Sequence, residues 1–123
     1  MSRSRLDFTR VDKVRKAIMR EVSDVLRKEI HDPRLQNGIV SVTDVDVSGD
    51  LQHAKVFVSV FGDDEVKQAA MAALEENTSK VRYQIGQRVR LRLTPTIVFL
   101  ADDSLERGAK VTELLNKIRD GQA

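Results

Sequence analysis

The sequence predicts an α+β domain in the order α-β-β-α-(kink)-α-β plus a C-terminal helix, with a three-stranded sheet covered by helices on one face. Three observations carry that prediction. Apolar residues recur at intervals of three and four from Val11 to Ile30 and again from Val66 to Leu74, the period of a helix buried along one stripe. β-Branched residues crowd positions 39–47, and residues 54–60 alternate apolar and other side chains, the period of strands. A last apolar run around Ile97 and Phe99 follows the second helical stretch, making a β-α-β crossover. Such crossovers are right-handed and send their helices to one side of the sheet.

The first stripe, Val11, Val14, Ile18, Val22, Val25, Leu26 and Ile30, reads as a helix over 10–31 with Thr9 as its N-cap and residues 1–8 as a flexible N-terminus. Pro33 forbids continuation, and Asp32-Pro33 opens a connector that ends near Gly38. In the strand that follows, Val40 and Val42 share one phase while Val45 and Val47 share the other. Either a bulge near Thr43-Asp44 or burial on both faces accounts for the switch. Ser48-Gly49-Asp50 supplies turn chemistry, and Ala54, Val56, Val58 and Val60 form the second arm of a hairpin.

Gly62-Asp63-Asp64 closes that arm and caps a second helix along Val66, Ala69, Ala70, Ala73 and Leu74. The stripe stalls at Asn77-Thr78-Ser79, whose side chains compete for backbone hydrogen bonds, and resumes at Val81 and Ile85 before Gly86. The reading is helix, kink, short helix. Leu91, Leu93, Ile97 and Phe99 then share a period of two, predicting a third strand with Arg90, Arg92 and Thr94 on its other face and Pro95 confining it to an edge or a bulge. Asp103-Ser104 and the stripe Val111, Leu114, Leu115 and Ile118 predict the last helix, fraying into a tail at 119–123. With 123 residues and no repeat or linker, residues 1–123 form one domain.

Function classes narrow quickly. The absence of Cys excludes disulfides, Cys-ligated zinc, iron–sulfur clusters and thiol nucleophiles. No stretch approaches the ~18 consecutive apolar residues of a spanning helix, so a soluble cytoplasmic protein is expected. The imidazoles, His31 and His53, sit at element ends, and no G-x-S-x-G, HExxH or Walker pattern occurs; an enzyme is not expected, nor a cofactor. Asp44 and Asp46, or Asp63-Asp64-Glu65, have the oxygen chemistry to share a cation, but they read more simply as a solvated strand face and a complement to a helix dipole.

Charge is segregated. Residues 1–28 hold nine bases and four acids, 44–76 two bases and eight acids, and 80–92 five bases and no acid. If the first helix packs beside the third strand, Arg3, Arg5, Arg10, Lys13, Lys16 and Arg20 meet the 80–92 block, and counterion release then favours a nucleic-acid backbone. The same residues equally serve to solvate polar faces, and few aromatic side chains are available to stack on bases: Phe8, Phe57, Phe61, Tyr83 and Phe99. Arg82, Arg88, Arg90 and Arg92 are the foremost candidates for phosphate contacts, with Lys80 beside the hinge.

The element order is similar to the type II KH fold, although the Gly-x-x-Gly loop usual at its hinge is absent. Over nearly its full length the chain resembles the ribosome-binding factor A family. The resemblance rests on Asp32-Pro33-Arg34, Gly38 and Val40-Ser41-Val42-Thr43, then Ser48, Asp50-Leu51 and Ala54-Lys55-Val56-x-Val58, then Gly86, Leu91-Arg92, Pro95, Phe99 and Asp103-Ser104. It implies a type II KH-like monomer that binds the free small ribosomal subunit and its rRNA near the decoding region. It further implies a role in late maturation and rRNA processing, in growth at low temperature, and beside other assembly factors, with no catalytic residue; from the residues themselves no metal site and no membrane are expected. The family's hinge commonly reads Ala-x-Gly where this chain has Asn77-Thr78-Ser79; Asn tolerates left-handed backbone angles, and Thr and Ser can satisfy freed carbonyls. Pro33 and Gly38 shape the connector, while Arg34 either pins it or touches a phosphate. An adaptor that docks on other proteins through its charged faces, without intrinsic RNA affinity, is the competing reading.

Overall fold

A computed structural model describes residues 2–102. Its first helix, α1, runs Ser2–Lys28 and therefore starts well before Arg10. Thr9 lies inside the helix, so the cap expected there is overturned: residues 2–8 contain neither proline nor glycine, and nothing in them stops a helix already nucleated by the buried stripe downstream. Val14, Ile18, Val22, Val25 and Leu26 line its buried side, as their spacing predicts. The chain leaves α1 through a wider turn, with the Ile30 amide donating to the Val25 carbonyl at 3.2 Å, and enters a 3-10 turn at Pro33–Leu35 capped by Asp32. Asn37 and Gly38 then take φ of 64° and 72°, the left-handed pair that swings the connector into the sheet.

Strand β1, Val40–Val47, pairs antiparallel with β2, His53–Val60. Val42 faces Val58 and Asp44 faces Phe57, leaving Thr43 without a partner in the register. The phase switch is thus a bulge, and Thr43 turns its hydroxyl to the Phe57 carbonyl at 3.2 Å and the Asp102 carboxylate at 2.6 Å. In the hairpin, Ser48 donates to Asp50 at 2.6 Å and accepts from the His53 amide at 3.0 Å, while Leu51 rather than Gly49 takes the positive φ, 62°.

Helix α2, Asp64–Glu76, begins under the Asp63 side chain, which accepts from the Val66 amide at 2.9 Å. Helix α3 spans Thr78–Arg88, so Gly86 lies within it and does not end it. Strand β3 is Thr96–Ala101, parallel to β2, in the order β1-β2-β3. The expected strand from Leu91 is therefore corrected. Pro95 has no amide to give the ladder, which opens with the Thr96 amide donating to Gln52 at 2.8 Å, and residues 89–95 form a loop. Ile97 points into the core as predicted, but Leu93 is 66% exposed.

Val45, Val47, Ala54, Val56, Val58 and Ile97 from one sheet face join the buried residues of all three helices in a single core. Burying each larger aliphatic side chain stabilises by roughly 1.5–3 kcal/mol before entropy is counted. Asp44, Asp46, His53, Lys55 and Val98 lie exposed on the opposite phase, so helices cover one face of a three-stranded sheet. The predicted C-terminal helix and the tail at 119–123 lie outside the described residues.

Candidate nucleic-acid interface

The bend between α2 and α3 is built by side chains returning to the preceding turn. Asn77 Nδ2 donates to the Ala73 carbonyl and Thr78 Oγ1 to the Leu74 carbonyl, each at 2.8 Å, which is how such residues bend helices. Asn77 does not use left-handed angles; its φ is −98° and ψ 5°. The second tie comes from the connector. Asp32 accepts from Arg34 Nε at 3.0 Å, Arg34 Nη2 at 2.7 Å and Asn77 Nδ2 at 3.3 Å, while Arg34 Nη2 also reaches Glu76 at 2.6 Å. Arg34 thus pins the Asp32-Pro33 connector to the end of α2. Its guanidinium, with the Arg34 amide, holds the Asp32 carboxyl at a pKa of about 2, and the two carboxylates raise that of Arg34.

Two of the arginines expected to meet phosphate are engaged by acceptors of the fold itself. Arg88 donates from Nη1 to Asp24 at 2.6 Å and Glu21 at 3.3 Å, and from Nη2 to Glu29 at 3.3 Å, clamping the end of α3 to α1. Asp24 is held at a pKa of about 2, first by Arg88 and then by Lys28. Arg82 donates to the carbonyls of Pro95 at 3.1 Å and Thr94 at 2.9 Å and so shapes the approach to β3. Local sequence carries no sign of either role, because every acceptor lies far along the chain.

The remaining cations face solvent. Arg10, Lys13, Lys80, Arg90 and Arg92 are exposed and pair with no acid among the described residues. Among the described residues Lys16 and Arg20 make only surface pairs, with Asp12 at 3.2 Å and Glu21 at 3.4 Å. Helical spacing sets Lys13, Lys16 and Arg20 on the outward side of α1. The first helix does meet the second basic block, through α3 and the 89–95 loop and not through a strand: Arg88 clamps α3 to α1, and Arg10 and Arg92 line a common cavity of about 570 Å³. Near the hinge, Lys80 and the 65% exposed Tyr83 border a shallow recess with Ser79. Tyr83 is one of the few aromatic side chains the sequence offers for stacking but is absent from the phosphate-contact candidates; its spacing one turn after Lys80 is the signal that would have added it.

The acids singled out as cation candidates have other tasks: Asp44 meets Arg15 at 3.2 Å and the Val45 amide at 2.8 Å, and Asp63 caps α2. Among the described residues no three His, Asp or Glu side chains converge as metal ligands, and no helix is long and apolar enough to cross a membrane.

The family model for ribosome-binding factor A matches residues 10–115. The chain belongs to the ribosome-binding factor A family. Ribosome-binding factor A of Thermosynechococcus vestitus is 54% identical over 114 residues, which cover 93% of this chain and 90% of the relative. The crystal structure of ribosome-binding factor A from Thermus thermophilus superposes with a TM-score of 0.64 at 25% identity, covering 74% of this chain and 94% of that one. A homology model of Thermus thermophilus ribosome-binding factor A, as fitted into the cryo-EM map of its 30S complex, matches with a TM-score of 0.58 at 25% identity, over 71% of this chain and 89% of that one. With the order of α1 to β3, these place the chain in the KH-like fold of the family.

Proposed function

We propose that this chain is a non-catalytic assembly factor that binds the free small ribosomal subunit and its rRNA during late maturation and rRNA processing, and supports growth at low temperature as a cytoplasmic monomer. The observation that carries the reading is a set of exposed cations that pair with no acid among the described residues: Arg10 and Lys13 on α1, Arg90 and Arg92 on the 89–95 loop, and Lys80 at the hinge. Two blocks far apart in sequence meet at the Arg10–Arg92 cavity, and such cations gain affinity for RNA by releasing condensed counterions. Contacts of this kind position a protein on phosphates and perform no chemistry. The 30S complex of the Thermus thermophilus relative supports the choice of partner.

Sedimentation of cell extract through sucrose at low salt tests the partner: co-migration with free small subunits is expected, and recovery only in the particle-free fractions overturns it. Titrating the purified protein against rRNA at rising salt tests the mode of binding. Affinity should fall steeply and linearly on logarithmic axes. Co-migration without appreciable RNA affinity would instead mark an adaptor held by ribosomal proteins.

A further inference from the structure

The cavity where the two basic blocks meet has more than charge. Its walls come from α1, from the β1–β2 turn and from the 89–95 loop, and they set apolar Val11, Leu51, Leu91 and Leu93 beside the cations Arg10 and Arg92. A surface that only attracts a phosphate backbone has no need of an apolar recess between its cations. At about 570 Å³ the cavity falls within the roughly 300–1,000 Å³ of sites that enclose small organic ligands.

We propose that this cavity accepts one unstacked nucleotide of single-stranded RNA, its base against the leucines and its flanking phosphates on Arg10 and Arg92. The proposal rests on the RNA-binding reading above and adds a preference to it. The occupant must combine an apolar, flat body with negative charge, and a nucleotide does so only when its base has left the stack; a base in a duplex presents no face to a recess. Asp50 also lines the cavity, but its carboxylate is held in the hairpin turn, accepting from Ser48 Oγ at 2.6 Å and the Gln52 amide at 3.1 Å. Both cations are free of carboxylate partners among the described residues, so neither must break an ion pair to meet a phosphate.

Two variants separate the recess from the charge. Leu93 is 66% exposed and its loss spares the core, so Leu93→Ser removes apolar surface from the cavity without touching a charge. At Gly49, which also lines the cavity, an added side chain begins in open space, so Gly49→Phe crowds the mouth without straining the turn. The full chain is titrated by fluorescence anisotropy with a six-nucleotide single-stranded RNA and with an RNA duplex, and followed by amide chemical shifts. Leu93→Ser and Gly49→Phe should each weaken single-strand binding about fivefold to tenfold, change duplex binding less than about twofold, and leave the salt slope unaltered. Single-strand RNA should shift the amides of Val11, Leu51 and Leu91, which inorganic phosphate alone should not. Normal single-strand affinity in both variants, or unshifted cavity amides, overturns the nucleotide site while leaving backbone binding in place. If the unaltered protein binds neither RNA at low salt, the RNA-binding reading falls and the site falls with it.

Discussion

Replacing Gly86 by Ala has two opposed consequences whose sizes follow from where it sits. Gly86 is inside α3, where alanine is favoured over glycine by about 1 kcal/mol. A Cβ at this position would stand 2.8 Å from Thr94 Oγ1, closer than real contacts allow, and Thr94 is short, β-branched and carries the carbonyl that Arg82 holds at 2.9 Å. Forcing an extra methyl into such a contact costs about 1–3 kcal/mol. Gly86→Ala alone should therefore leave stability unchanged or lower it by up to about 2 kcal/mol. In a Thr94→Ala background the obstructing hydroxyl is gone, the nearest remaining side-chain carbon lay at 3.8 Å, and the same substitution should stabilise by about 1 kcal/mol. Urea unfolding of the four members of this cycle reads the coupling directly, as a difference of about 1–3 kcal/mol between the two backgrounds. Effects that add to within about 0.5 kcal/mol would refute the idea that Gly86 is required for close approach of the 89–95 loop.

The remaining predictions concern charge and the bend. Arg88→Gln should lower the urea midpoint, because Glu21, Asp24 and Glu29 lose their shared cation, whereas Arg90→Gln and Arg92→Gln should leave it in place and each reduce the slope of RNA affinity against salt by about one; equal effects on stability would contradict the division between structural and exposed arginines. Asp24 and Asp32, held at about 2 against an ordinary 3.8, bind protons later in the folded chain than in the unfolded one, so their contribution to stability is whole above about pH 4 and is lost as pH falls toward 2. A series of urea midpoints should fall over that window and fall less in the Asp24→Asn/Asp32→Asn variant. Asn77→Ala/Thr78→Ala should raise helical circular dichroism, gaining about 1 kcal/mol in local propensity, and loosen small-subunit binding as the bend opens. An unchanged bend by NMR would show that the Arg34–Glu76 tie holds it without them.

Each α-helix and strand within the described residues announced itself through a local pattern, whereas the 3-10 turn at Pro33–Leu35 read only as a connector. The stripe of α1, the alternation of β2, Asp63 ahead of α2 and the stalled stripe at Asn77 are periodicities and caps, readable because a residue's face is set by its own neighbours. The phase switch in β1 was legible too, and pairing with β2 decided between its two explanations in favour of a bulge at Thr43. The start of β3 was not. The alternation of Leu91 and Leu93 with Ile97 continues through Pro95, and only the absence of a β2 partner before Thr96 shows where the ladder begins.

By itself the sequence determined the element order, the core-facing side of each helix and of the sheet, the KH-like resemblance and the segregation of its charge. Tertiary structure alone decided which charges remain for a partner. Arg82, Arg88, Arg90 and Arg92 are alike in sequence, yet Arg88 closes on acids 59 to 67 positions away and Arg82 on the carbonyls before β3, while Arg90 and Arg92 turn outward. The reason is physical: an arginine's pairing depends on which acceptors the packed chain brings within hydrogen-bond reach, about 3 Å, and those acceptors come from other elements, so no window of neighbouring residues contains the answer.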